Sequence, residues 1–177
     1  HGFSVPFFFF FSLFNFLAGA GFRVLRYDLL GRGYSDRPNT RYDIHLFVRQ
    51  LKELLDALEM NDITLLGLSM GGPITISFID QHSRFVRKHV LIDPAGAKNV
   101  GLGWLLQITR IPFIGELLIA LFGSKNMIKS IASDFFDPEL VTAFQTKYKV
   151  QMEYKGFKRA ILSTMRNGML DSFLETY

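Results

Sequence analysis

The chain has 177 residues, 49% hydrophobic and 20% charged, which describes a globular protein with core material for one domain, or a domain plus a small insertion. Its formal charge of +4 comes without a dense lysine–arginine patch, so composition argues against a nucleic-acid partner. The absence of cysteine excludes disulfides, cysteine-ligated zinc and thiol catalysis, and leaves the compartment open.

The chain opens on His1-Gly2-Phe3-Ser4. Pro6 to Ala20 then holds five consecutive phenylalanines, Phe7 to Phe11, followed by Phe14 and Phe16; with 19 phenylalanines in all, a greasy core or a lipophilic pocket is expected. A signal-peptide core with Ala18-Gly19-Ala20 as cleavage site would need a basic stretch before it, and none is there. A membrane span needs about 20 apolar residues, and this shorter run is interrupted by Ser12 and Asn15. Phe22 to Asp28 reads as a buried strand. Gly31-x-Gly33 after it lacks the third glycine of a dinucleotide fingerprint, Asp36 standing there, and no helix opens from it.

Ile44, Phe47, Val48, Leu51, Leu54, Leu55 and Leu58 recur at three- and four-residue spacing, opposite Arg49, Lys52, Glu53 and Asp56. That pattern predicts a helix covering a sheet. Ile63 to Leu66 is a short apolar run that reads as a strand, Pro73 to Gln81 can be helical with its proline in the first turn, and His89 to Asp93 reads as the next parallel strand. Strand–helix–strand repetition implies an α/β protein with a doubly wound, mostly parallel sheet. From Ala97 no further strand is evident, and short helices are expected to about Leu170, broken at Pro112, Gly115, Gly123, Pro138 and Gly156. The stretch from Leu105 to Phe122 is apolar-rich and too often interrupted for a span, and Asp137-Pro138-Glu139 reads as a helix start.

Leu66-Gly67-Leu68-Ser69-Met70-Gly71-Gly72 joins the third of these elements to the fourth. Strand, G-x-S-x-G, helix is the arrangement of a nucleophile elbow. A serine forced onto so sharp a turn is strained and projects its hydroxyl above the sheet edge. Side chains two positions before and after it would collide, which requires Gly67 and Gly71, and the helix N-terminus behind it offers free N–H groups to an oxyanion.

Four segments, His1 to Ser4, Asp28 to Pro38, Gly67 to Gly72 and Leu91 to Gly96, resemble the α/β-hydrolase superfamily in order and spacing. The resemblance implies a partial α/β-hydrolase fold with an inserted helical cap. Residues 1–96 would form a core lacking its first and last strands, 97–170 the cap, and 171–177 the start of a return to the core. It also implies that the chain is an internal piece of a longer protein. Pro6 to Ala20 becomes the loop and first helix of the core, ending at Gly19 or Gly21. Five consecutive phenylalanines depart from the family's alternation of aromatic and polar residues there, which leaves open an exposed aromatic surface near the pocket or poor folding.

By match to the motif, Ser69 is the nucleophile, the oxyanion donors are the N–H groups of Phe3 and Met70, and His1 braces its loop. The hydroxyl needs a base and the base an orienting acid, and in this fold they follow in the order Ser, Asp or Glu, His. No histidine follows His89. His82 and His89 are expected at the sheet edge opposite Ser69, some 17 Å away across a five-residue strand, and His45 on an outer face. Asp93 ends the strand beside the elbow strand on the edge of Ser69; it is a candidate acid, or a loop-bracing or helix-capping aspartate.

The resemblance implies a serine hydrolase acting on a small apolar ester or related acyl substrate through an acyl-enzyme. Carbon–carbon bond hydrolysis is a neighbouring chemistry the motif does not separate. Haloalkane and epoxide hydrolases of the fold place aspartate where Ser69 stands. A non-catalytic binding protein of the same fold is the alternative from another class. The 177 residues alone, lacking a base, are expected not to turn over substrate. No metal or cofactor is implied by any ligand spacing, no transmembrane span is expected, and membrane-surface contact stays open.

Overall fold

The computed structural model describes residues 1–96, 104–135 and 137–177. Strands β1 (Ile63–Leu68) and β2 (Val86–Ile92) lie parallel, with Leu65 opposite His89 and Leu68 opposite Ile92. A parallel pair needs a crossover, and a helix here called α3 (Gly71–His82) supplies it. The helix α2 (Ile44–Ala57) starts on Asp43, whose carboxylate accepts from the Leu46 N–H at 3.0 Å. Val48, Leu51 and Leu55 of α2 meet Leu65 of β1 and Phe78 of α3 in one core. Leu58, counted with that apolar face in the sequence, is the C-cap and lies exposed.

The phenylalanine run divides its rings between two jobs. Phe7–Phe10 is a 3-10 turn and α1 (Phe11–Gly19) follows. Phe8 and Phe9 pack on Phe144, with ring centroids 5.1 and 5.8 Å away. Phe7, Phe11 and Phe14 surround the Arg26 guanidinium at 4.8, 5.3 and 4.2 Å. The run is thus both inner packing and a partly exposed aromatic surface, Phe16 being 72% accessible.

Phe22 to Asp28 departs from the expected buried strand. It forms no ladder with any described segment, and Phe22 and Leu25 are 63% and 40% exposed. An apolar run becomes a strand through its neighbours' hydrogen bonds, and none of the described residues offers them.

Beyond β2 the described residues contain helices and no strand: α4 (Trp104–Thr109), α5 (Ile114–Leu118), α6 (Ser124–Ser130), α7 (Pro138–Glu153) and α8 (Phe157–Arg166). The expected beginning of the cap, residues 97–103, lies outside the described residues. Asp137 caps α7 through the Glu139 N–H at 2.9 Å, with Pro138 in its first turn. Gly156, at φ 92°, turns the chain into α8. Gly115 and Gly123, expected as breaks, fall inside a helical rod from Ile114 to Ser130 whose middle, Ile119–Gly123, is a π-helical turn. A Cβ on Gly115 would stand 1.9 Å from the Thr109 carbonyl oxygen, so this glycine serves a close approach rather than a stop. Phe144, Tyr148 and Met152 of α7 join Phe157, Ile161 and Met165 of α8 in a second core that also takes in Val5 from the first loop. No described helix is long and apolar enough to cross a membrane.

Asp28 ties the front of the molecule together. Its carboxylate accepts from the N–H groups of Phe7 (2.6 Å) and Tyr34 (2.9 Å) and lies 3.6 Å from His1 Nε2. Burial alone would raise its pKa; the nearby His1 imidazole and the hydrogen bonds from the Tyr34 and Phe7 N–H groups outweigh burial and hold it below the ordinary carboxylate value. Gly33, at φ 49°, lies so close that a Cβ would sit 1.9 Å from the carboxyl carbon.

Two predictions follow from this packing. Gly33→Ala should lower the unfolding free energy by about 2 kcal/mol or more, whereas Gly19→Ala, with open space around it, should be neutral or slightly stabilising; urea unfolding of both variants checks this. Because the folded pKa of Asp28 is depressed, its contribution is present above about pH 4 and lost as pH falls through the folded value. Asp28→Asn should therefore be less stable at neutral pH and flatter in stability below pH 4, measured by thermal unfolding across pH.

Candidate active site

The end of β1 and the start of α3 make the turn on which the site is built. Ser69 lies between them at φ 50°, in the left-handed region that disfavours a side chain. Three backbone hydrogen bonds hold it there. The Ser69 N–H donates to the Ile92 carbonyl at 3.1 Å, and its own carbonyl accepts from Gly72 (2.8 Å) and Ala95 (3.0 Å). The serine is thus fixed to β2, to the first turn of α3 and to the loop after β2.

The glycines around it are there for want of room. A Cβ on Gly67 would stand 2.5 Å from Thr75 Oγ1 and 2.6 Å from the Gly71 carbonyl oxygen. One on Gly71 would stand 2.6 Å from the backbone nitrogen of His1, which places the first loop directly against the elbow. Gly72 is constrained as well, by Pro94 and the Tyr177 hydroxyl at 2.6 and 2.8 Å. Residues 171–177 return to this region: Tyr177 donates its hydroxyl to the Ala95 carbonyl at 2.7 Å, and the Phe173 N–H donates to that of Gly96 at 3.0 Å.

Met70 is fully buried and stands at the head of α3, while Phe3 lies half-buried in the adjoining loop. Neither N–H donates to another described residue, and the Ser69 hydroxyl has no partner among them. A serine hydroxyl, the Met70 N–H beside it and the N–H of Phe3, which packs on the cluster holding Met70, are therefore unengaged among the described residues. His1 braces the loop, its Nδ1 2.9 Å from the Gly2 carbonyl and its Nε2 facing Asp28. Tyr148 of α7 donates its hydroxyl to Ser4 Oγ at 2.7 Å, which fastens the helical layer to the same loop.

Arg32 is a residue that pattern reading passes over. Its side chain is fully buried and lacks a carboxylate partner among the described residues. It donates from Nε to the Phe3 carbonyl (3.0 Å) and from Nη2 to Thr164 Oγ1 of α8 (2.7 Å), and lies over the Phe47 ring at 5.3 Å. Burial pushes its pKa down to about 10, so the guanidinium stays charged at neutral pH. Nothing in a G-x-G turn signals that its middle residue turns inward.

Asp93 follows β2 directly, on the edge that carries Ser69, at φ 41° and exposed; its carboxylate has no partner among the described residues. The histidines stand elsewhere. His45 is exposed in the first turn of α2, and His82 packs on Phe78 at the end of α3. The expectation for His89 is corrected: it sits in the middle of β2 rather than at its start. There its Nε2 lies 2.8 Å from Thr75 Oγ1, against the first turn of α3, and burial lowers its pKa. No three His, Cys, Asp or Glu side chains among the described residues could jointly hold a metal ion.

Known proteins resemble this chain in sequence and in fold. The sequence model of the alpha/beta hydrolase fold family matches residues 1–148. The AB hydrolase superfamily protein YisY of Bacillus subtilis is 35% identical over 130 residues, 71% of this chain and 48% of its own length. A 2-hydroxymuconate semialdehyde hydrolase of Pseudomonas sp. (strain CF600) is 40% identical over 75 residues, 42% of this chain and 26% of its own length. Among solved structures, an esterase from Exiguobacterium antarcticum overlays 99% of this chain and 65% of its own at a TM-score of 0.73 and 22% identity, a likeness of fold alone. The chain thus spans about half or less of the curated relatives it matches. Matched over most of its length and built around a serine at a strand–helix turn, the chain belongs to the α/β hydrolase fold family.

Proposed function

We propose that the protein of which these residues form part is a serine hydrolase acting on an apolar ester or related acyl substrate. The observation that carries the reading is Ser69 at φ 50° with an unengaged hydroxyl, next to the unengaged N–H of Met70, with the unengaged N–H of Phe3 in the loop that packs against the same turn. In this reading the Ser69 oxygen attacks the substrate carbonyl while a histidine takes its proton. The Phe3 and Met70 amides bind the oxyanion, the alcohol leaves with that proton, and water then releases the acyl group. The base is not one of the four histidines of this sequence, and the acid that orients it is either Asp93 or, like the base, a residue outside this chain. The aromatic cluster beside Phe3, with Phe8, Phe9 and Phe144, supports an apolar acyl group.

Carbon–carbon bond hydrolysis is the second reading. It is favoured by the 40% identity to a semialdehyde hydrolase and by a 2-hydroxy-6-oxo-2,4-heptadienoate hydrolase of Pseudomonas putida at 35% over 75 residues. Residues 97–170 are proposed as the cap, which would exclude water and shape the acyl pocket.

The test is turnover of a short-chain nitrophenyl ester and of a dienol ring-cleavage product by the chain as its native source makes it. Ser69→Ala should lower kcat/KM for the true substrate by at least about 10³-fold with an unchanged unfolding midpoint. Unchanged turnover of both substrates in the variant would remove Ser69 from the chemistry. The isolated 177-residue chain should show no turnover above its Ser69→Ala control, since a serine without a base is a weak nucleophile.

A further inference from the structure

The helical rod from Ile114 to Ser130 leaves large apolar side chains in the open. Leu117 and Leu121, four residues apart, are each 58% exposed, and Phe113, which begins the rod, is 88% exposed. Phe113 also holds φ 65°, a conformation a bulky residue adopts only when the surroundings impose it, and here the strained residue presents its ring to solvent. No described residue covers this ridge.

Charge beside the ridge identifies what would. An open groove of about 590 Å³ runs between the rod, at Ser124 and Ile128, and the junction of α7 with α8. Lys149, Lys155 and Lys158 line it, none paired with a carboxylate among the described residues, against the single acid Glu153. Ridge and groove adjoin: the Lys158 ammonium donates to the carbonyl of Ala120 at 3.2 Å, one residue from Leu121. Exposed aromatic and leucine side chains flanked by lysines without carboxylate partners among the described residues make the pattern of a surface that seats in a lipid interface, apolar groups in the acyl boundary and ammonium groups among the phosphates.

We propose that this face of the helical layer docks on an anionic lipid surface, with Phe113, Leu117 and Leu121 entering the interface and Lys149, Lys155 and Lys158 receiving headgroup phosphates. The docking does not depend on Ser69 chemistry and stands or falls separately from it.

Co-sedimentation of the chain as its native source makes it, with phosphatidylcholine–phosphatidylglycerol vesicles and with pure phosphatidylcholine vesicles, tests this. Binding should favour the anionic vesicles and weaken as salt is raised. Leu117→Gln/Leu121→Gln should reduce partitioning by at least about tenfold, and Lys149→Glu/Lys155→Glu should reduce it similarly. Phe113→Gly should weaken vesicle binding while leaving the melting temperature unchanged or higher, because glycine relieves the positive φ. The proposal is overturned by equal binding to both vesicle types, by no binding to either, or by wild-type binding in the double variants. Binding of inorganic phosphate without vesicle binding, or self-association through the leucines in the absence of lipid, would identify a different occupant and overturn it too.

Discussion

A Cβ cannot be added at Gly67, Gly71 or Gly72 without meeting another atom within 2.6 Å, and the rest of the structure is arranged around that crowding. Close approach at Gly67 lets the first turn of α3 fold back onto β1, and at Gly71 it lets the His1 loop lie against the same turn. Gly72 admits Pro94 and the Tyr177 hydroxyl from the loop after β2 and the end of the chain. Ser69, between them, has no freedom left in its backbone, since its N–H and its carbonyl are both committed. The left-handed φ of a serine costs on the order of 1–3 kcal/mol, and these surrounding contacts sustain it.

Two buried ions extend that rigidity outward. A charge taken from water costs several kcal/mol unless hydrogen bonds replace its hydration. Asp28 meets the requirement with two backbone N–H groups and His1, and in doing so positions the Gly33 turn and the start of the phenylalanine run. Arg32 meets it with the Phe3 and Leu30 carbonyls and the Thr164 hydroxyl, which fastens α8 of the helical layer to the loop beside the serine. Asp28 ends the Phe22–Asp28 segment and Arg32 lies on the turn after it, so a stretch without ladder partners nevertheless ends in a fixed geometry.

The elements legible in the sequence are those whose signal is local. The 3.6-residue apolar period of Ile44 to Leu55 locates α2, and Asp137 marks a helix start by a capping chemistry confined to a few residues. The elbow announces itself because steric exclusion demands glycine at fixed offsets from Ser69. What was not legible depends on partners far along the chain. Phe22 to Asp28 has the composition of a strand, but pairing is a property of its neighbours. His89 reads as a strand end because β2 begins three residues before it, at Val86, in a polar stretch that hides the strand. Gly115 and Gly123 looked like breaks, yet tertiary contact with Thr109 and a π-helical turn keep the rod continuous. The inward turn of Arg32 has no sequence signature, because a G-x-G turn accepts many middle residues.

Ser69, the proposed nucleophile, is held ready by its backbone. The most direct measurement is covalent: incubate the chain, as its native source makes it, with a fluorophosphonate and map the adduct by peptide mass. One adduct per chain is expected, on the peptide containing Ser69, lost on denaturation before labelling. An unmodified Ser69 peptide, or equal labelling of several serines, would contradict it.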